Sequence, residues 1–179
     1  MNRKTLVTLH LYLAAFFAPV MLILAISGGL YLLDIKGEMV KGETVLIEGA
    51  TISAEGDKAE QVKAVLALAG LDNDFEYIKE RGPMMQTRPT SRDHYEIKPT
   101  SAGVEITPVS PSLVAALMEL HKGHGPGLFR ILEQITALGL ILVLISGLII
   151  GLKSPMLKKP TVALSAGGIL VFVIFAAIL

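Results

Sequence analysis

Residues 5–33 read TLVTLHLYLAAFFAPVMLILAISGGLYLL and contain no charged side chain. An α-helix rises about 1.5 Å per residue, so a run of this length crosses a hydrocarbon core of roughly 30 Å even when it is tilted. The apolar run is too long for a cleavable signal peptide, and Ser27-Gly28-Gly29 leads into more apolar residues instead of an Ala-x-Ala cleavage pattern. The stretch therefore predicts a retained transmembrane helix within residues 1–33.

Two further apolar runs occupy residues 128–152 and 161–179, separated by a short polar loop at 153–160. Both are long enough to span a bilayer, so the sequence predicts an α-helical membrane protein with three transmembrane helices. The chain has 16 basic and 16 acidic residues, and this balance argues against nucleic-acid binding, which requires a concentrated basic surface. It has no cysteine, which excludes disulfides, thiolate metal sites and iron–sulfur clusters held by this chain.

Basic residues in short loops predict the orientation of the three helices. Arg3 and Lys4 precede the first helix, and Lys153, Lys158 and Lys159 lie between the second and third. Basic loops stay in the cytoplasm, so the N-terminus is predicted to be cytoplasmic and residues 34–127 to be extracytoplasmic. In a bacterium with two membranes this means a multi-pass inner-membrane protein with a large periplasmic loop.

The loop at 34–127 has the pattern of a small α+β module in which one helix packs on a short antiparallel sheet. Asp57, with Glu60 three residues later, is typical of a helix start, and Gly70 follows the apolar positions of that helix. Alternating residues predict short strands near 45–47, 75–78, 95–97 and 103–107, and Ser110 to Ser112 opens a second helix. Residues 36–43 are predicted to be a connector and 84–92 a loop, Pro108 is expected to end its strand, and His94 is expected at the surface.

Short motifs on both sides of this module resemble the PepSY-associated transmembrane family. The resemblance covers about residues 1–152, and the module's order of helix, strand, strand, strand is similar to a PepSY domain. The motifs are Leu9-His10-Leu11-Tyr12, Ser27-Gly28-Gly29-Leu30-Tyr31, Leu120-His121, Leu128-Phe129-Arg130 and Ser146-Gly147-Leu148.

The resemblance implies a b-haem electron-transfer component, or a component of a ferric or other metal reductase. His10 and His121 stand where the family has its histidines, so the resemblance implies that they are haem ligands. The predicted topology puts them near opposite membrane faces, on the order of 25 Å apart, too far to share one haem within a chain. A homodimer or a partner subunit would then complete each ligand pair.

The residues themselves leave other interpretations of these histidines open. His10 could be a polar residue at the membrane interface and His121 a solvated residue at a helix end. His121 and His124 are three residues apart, and on a continuing helix this spacing could hold copper or zinc.

A second class of function is equally compatible with the sequence: a non-redox accessory subunit of a larger membrane complex, with its outer module contacting a partner protein. Small residues on the predicted helices favour helix contacts, either with other membrane subunits or in a homodimer. The stripes are Ala14, Ala18, Ala25 and Gly29 on the first helix, Gly147 and Gly151 on the second, and Ser165, Gly167 and Gly168 on the third.

Overall fold

The computed structural model describes residues 2–178, and these form five helices and six strands. Their bounds are α1 Arg3–Leu32, β1 Met39–Lys41, β2 Val45–Glu48, α2 Lys58–Leu68, β3 Tyr77–Arg81, β4 Met84–Arg88, β5 His94–Pro99, β6 Gly103–Pro111, α3 Leu113–His121, α4 Gly127–Leu152 and α5 Lys158–Ile178. We call the part from β1 to α3 the sheet module.

The three apolar runs of the sequence are α1, α4 and α5. Each is a continuous helix that is long and apolar enough to cross a membrane. Most of their large apolar side chains are exposed within the chain, which is the pattern of helices whose surroundings are themselves apolar. The prediction of three such helices joined to a small sheet region is confirmed.

The sheet module is built on one antiparallel sheet. Its strand order is β1-β6-β5-β4-β3, and β2 pairs with another part of β6. The helix α2 covers one face of the sheet, and Asp57 caps its start by accepting hydrogen bonds from the backbone N–H groups of Ala59 and Glu60. The apolar core between them comprises Val62, Val65, Leu66, Met85, Ile97, Val104 and Ile106.

The opposite face of the sheet lies beneath α3. Side chains alternate between faces along a strand, so Val109 of β6 is on the face opposite to Ile106. Val109 pairs with His94 of β5, and both are buried. The α3 residues Ala115 and Met118 are buried as well. The sheet therefore carries a helix on each face, where the sequence predicted one.

Three predictions of local secondary structure in this module are wrong. Residues 84–88 form the strand β4, because Gly82 adopts a left-handed φ of +60° and closes a hairpin with β3. The predicted connector at 36–43 contains β1. Pro108 does not end β6, because its carbonyl accepts a hydrogen bond from Gly42 N–H and the pairing continues to Pro111.

The chain divides into two compact units. One comprises residues 23–133, which contain the sheet module, and the other comprises the residues up to Leu22 together with those from Gln134 onward. In the second unit α1 and α4 run antiparallel, since His10 contacts Ser146 and Phe17 contacts Gly139. Gly139 lies against the ring of the buried Phe17, so the two helices approach closely there.

Candidate functional site

His10 lies on the side of α1 that faces α4. Its Nδ1 is 2.9 Å from the Oγ of Ser146, and that hydroxyl donates a hydrogen bond to the carbonyl oxygen of Val143 at 3.1 Å. Gly147 stands next to the ring: a Cβ added there would lie 3.3 Å from the Cε1 of His10. The absence of a side chain at Gly147 therefore lets the imidazole lie against the backbone of α4.

His121 makes the same contacts with other residues. Its Nδ1 is 3.0 Å from the Oγ of Ser27, which donates to the carbonyl oxygen of Leu24 at 3.0 Å. A Cβ added to Gly28 would lie 3.4 Å from the Cε1 of His121. Each predicted histidine thus has its own serine, and that serine is followed directly by a glycine.

The contacts of the serine hydroxyls favour one tautomer of both rings. A hydroxyl has one proton, and in Ser27 and Ser146 the carbonyl oxygen three residues earlier lies at a distance that suits its donation. With the proton in that bond, each serine oxygen accepts the Nδ1–H of its histidine. In the neutral imidazole the lone pair then resides on Nε2, which is the state of a histidine prepared to ligate a metal through Nε2.

The structure does not bring the two predicted copper or zinc ligands to one helix face. The helix α3 ends at His121, and His124 follows a turn in which Gly123 has a φ of +72°. The Nδ1 of His124 contacts the carboxylate of Glu119 at 2.7 Å, whereas His121 contacts Ser27. Within residues 2–178 no three His, Cys, Asp or Glu side chains group as metal ligands would.

A buried ionic cluster next to His121 was not found from the sequence. It is centred on Glu119, near the end of α3. The Oε2 of Glu119 accepts from the Oγ1 of Thr90 at 2.5 Å and lies 3.7 Å from the Nη1 of Arg88. Its carboxylate also contacts Lys122 Nζ at 2.9 Å and the ring of His124. Through these contacts the cluster connects the last turn of α3 with Arg88 at the end of β4.

Arg88 is the most deeply buried member of this cluster. Its side chain is 1% exposed, and its Nη1 donates to Thr90 Oγ1 at 2.7 Å. Burial lowers the pKa of Arg88, while the nearby Tyr77 and Glu119 oppose that shift. Its Nε and Nη2 have no protein hydrogen-bond partner within the described part of the chain. Glu119 is therefore the carboxylate that balances this buried positive charge.

Burial opposes the ionisation of Glu119, but hydrogen bonds from Thr90, Lys122 and His124 outweigh it and lower its pKa to about 2. A carboxyl group with a lowered folded-state pKa stabilises the fold above its unfolded-state pKa, here about 4.5. We therefore expect this contribution to be intact at neutral pH and to be lost as the pH falls from about 4.5 to about 2. Urea unfolding followed by circular dichroism at several pH values measures it, and the Glu119→Gln variant should lack this pH-dependent component.

His94 is buried, not at the surface as predicted. Its side chain is 3% exposed. Its Nδ1 is 2.9 Å from the carbonyl oxygen of Arg92, and its Nε2 is 3.3 Å from the side-chain amide of Gln86 on β4. Burial lowers its pKa, so the neutral form is favoured. Both ring nitrogens have protein partners, so His94 has a structural role within the sheet module.

A sequence signal for the two histidine–serine pairs does exist. Ser27 and Ser146 are polar residues within long apolar runs, and each is followed by a glycine. A polar side chain in an apolar helix needs a hydrogen-bond partner, and the glycine allows a close approach. Nothing in the linear pattern, however, assigns Ser146 to His10 or Ser27 to His121.

The comparisons with known proteins leave the family open: no protein-family model matches the chain, and no curated protein or solved structure resembles it significantly.

Proposed function

We propose that the protein is a haem-binding component of a membrane electron-transfer or metal-reductase system, of the PepSY-associated transmembrane type. The three apolar helices supply the membrane segments. His10 and His121 would hold b-type haem, which supplies one-electron chemistry when bound. The observation that carries the proposal is the arrangement of the two serines, since each lies where it can accept Nδ1–H and so leave the Nε2 lone pair of its histidine available.

A low-spin haem needs two axial ligands, and each histidine with its serine would supply one of them. An axial imidazole usually donates its other N–H to a neighbouring acceptor, and Ser146 and Ser27 are such acceptors. Each histidine makes its serine contact within a different unit of the chain. His10 is the single histidine in the sequence of its unit, and in the other unit His94 and His124 contact Gln86 and Glu119. The second axial ligand is therefore assigned to another copy of the chain or to a partner subunit.

We assign the protein to a bacterial inner membrane, with the N-terminus in the cytoplasm and the sheet module in the periplasm. In the unit formed by the chain ends, the start of α1 carries Arg3 and Lys4, and the antiparallel α4 ends just before Lys153. Lys158 and Lys159 open α5. The start of α1, the end of α4 and the start of α5 would lie on one side of the bilayer, and all three carry or adjoin basic residues. This charge distribution supports placing that side in the cytoplasm.

The test is the visible spectrum of the protein purified from membranes, oxidised and after reduction with dithionite. We expect a Soret band and a reduced α band in the wild-type protein, because the imidazoles are prepared as axial ligands. His10→Ala and His121→Ala should each reduce the bound haem. Ser27→Ala and Ser146→Ala should weaken haem binding roughly 10–100-fold, as expected for the loss of the partner that orients a ligand.

His124→Ala is the matched control, because His124 contacts a carboxylate and not a serine. Its spectrum should equal that of the wild type. A wild-type protein that is correctly folded and colourless would contradict the proposal, as would variants of His10 and His121 that retain the wild-type haem content.

The second candidate function is that of a non-redox accessory subunit, favoured by the exposure of α5. None of the 21 residues of α5 is buried by the described part of the chain, and beyond the helix's own backbone no described atom lies within 4 Å of a Cβ added to Gly167 or Gly168. Lipid, a second copy or another membrane subunit could cover such a helix through its small residues. A colourless preparation that co-purifies with other subunits would favour this function.

A further inference from the structure

Several large apolar side chains are exposed where α1 leads into the sheet module. Leu33 and Ile35 are the first and third residues after α1, Val40 lies in β1, and Leu113 is the first residue of α3. Their exposed fractions are 72%, 48%, 58% and 78%, respectively. We call these four residues the juxtamembrane patch. Exposed apolar surface that is continuous with a functional segment is typical of an interaction site.

Backbone contacts hold the segments of this patch together. Ser112 N–H donates to the carbonyl oxygen of Glu38 at 2.9 Å, and Glu38 N–H donates to the Oγ of Ser112 at 3.0 Å. Met39 pairs with Pro111 in the sheet. Gly37 has a φ of +71°, and a Cβ there would collide with the backbone N of Ala115. The chain leaving α1 is therefore fixed against the start of α3.

The residues next to the patch are those expected at a membrane surface. The Lys36 ammonium lies 5.1 Å from the centre of the Tyr31 ring and pairs with Asp34. Tyrosine is enriched at the headgroup level, and lysine can place its ammonium among lipid phosphates while its stem covers apolar surface. Leu33 is the first residue after α1, so the patch begins where a membrane-spanning α1 would end.

We propose that the juxtamembrane patch inserts into the interfacial layer of the lipid bilayer, so that the sheet module rests on the membrane through the start of α3. The proposal depends on the membrane placement given under Proposed function and not on haem binding. It commits to lipid because Leu33 directly follows a helix that is long and apolar enough to cross a membrane, and because backbone contacts hold the next residues against the start of α3. The sheet module then gains an apolar support that its own small core does not supply.

The chain contains no tryptophan, so single-tryptophan variants report one position each. The experiment reconstitutes full-length Leu113→Trp, Leu33→Trp and Leu68→Trp variants into vesicles of phosphatidylcholine and phosphatidylglycerol, with and without brominated acyl chains. Leu68 is the matched control, because it is 74% exposed on α2, which covers the other face of the sheet. Leu33→Trp reports the end of α1.

We expect brominated lipid to remove about half or more of the emission of Leu33→Trp and Leu113→Trp, and less than about a tenth of that of Leu68→Trp, given an insertion depth of about 5–10 Å. The Leu113→Trp emission should also be blue-shifted relative to Leu68→Trp. Quenching of Leu33→Trp without quenching of Leu113→Trp would overturn the docking proposal alone. No quenching at Leu33→Trp would overturn both the docking and the membrane placement.

A protein partner over the patch would give a different result. Leu113→Trp would then be quenched by aqueous acrylamide, and not by brominated lipid, in vesicles that contain only this protein. That outcome also overturns the proposal. Quenching by brominated lipid can be measured whether or not haem is bound. A colourless protein whose Leu113→Trp emission is quenched by lipid would contradict haem binding and support docking.

Discussion

Replacement of Glu119 by alanine is expected to lower the free energy of unfolding of the sheet module by about 3–5 kcal/mol. The variant removes the carboxylate that lies 3.7 Å from the buried guanidinium of Arg88. Two guanidinium nitrogens of Arg88, Nε and Nη2, already lack a hydrogen-bond partner within residues 2–178, so its charge would be left without compensation. Breaking a buried ion pair from one side is costly because the remaining charge stays desolvated.

The measurement is pulse proteolysis of the full-length protein in detergent over a range of urea concentrations. The matched control is Glu60→Ala. Glu60 and Glu119 each contact a lysine three residues later at 2.9 Å, but the Glu60 side chain is 68% exposed and that of Glu119 11% exposed. We expect Glu60→Ala to change the stability by less than about 0.5 kcal/mol.

A double variant distinguishes a buried charge from a simple loss of contacts. Glu119→Leu combined with Arg88→Met removes both charges and keeps most of the volume, so it should recover much of the lost stability. If Glu119→Ala unfolds at the same urea concentration as Glu60→Ala, the cluster does not stabilise the sheet module.

Substitution of Gly139 by leucine is expected to separate α1 from α4. A Cβ at this position would collide with the ring of Phe17, which is buried between the helices. Extra side-chain volume in a closely packed contact costs about 1–3 kcal/mol, which for a chain of this size corresponds to roughly 2–12 °C in the midpoint of thermal unfolding. Size-exclusion chromatography after heating in detergent measures the midpoint.

Gly167→Leu is the control for this substitution. Gly167 is also a glycine within an apolar helix, but beyond the backbone of its own helix no atom of residues 2–178 lies within 4 Å of a Cβ placed there. We expect its midpoint to equal that of the wild type. Phe17→Ala added to Gly139→Leu should restore part of the stability, because it removes the ring that leucine displaces. Equal midpoints for Gly139→Leu and Gly167→Leu would refute the close contact.

The large features of the fold could be predicted from the sequence because they depend on local composition. An apolar run such as 5–33 has few stable alternatives to a helix in an apolar environment. The start of α2 is likewise predictable, because the Asp57 carboxylate accepts hydrogen bonds from backbone N–H groups only two and three residues later. The core of the sheet module follows from alternation along β5 and β6.

The parts that could not be predicted depend on residues distant in sequence. The sequence predicts a loop where β4 lies because Gly82-Pro83 precedes it and another proline is nearby. The burial of Arg88 at the end of this strand depends on Thr90 and on the distant Glu119. His10 and Ser146 are separated by 136 positions, and Ser27 and His121 by 94. The histidines could be proposed from the sequence, but their tautomer required knowledge of the facing helix.

We propose that His10 and His121 hold haem through their Nε2 lone pairs, and the haem content of the purified protein tests this proposal most directly. Alkaline pyridine converts any b-type haem into a form that can be counted against the protein concentration. If each haem takes its two axial ligands from two copies of the chain, His10 and His121 together predict about two haems per pair of chains. A folded, membrane-extracted protein with a ratio of zero would contradict the account.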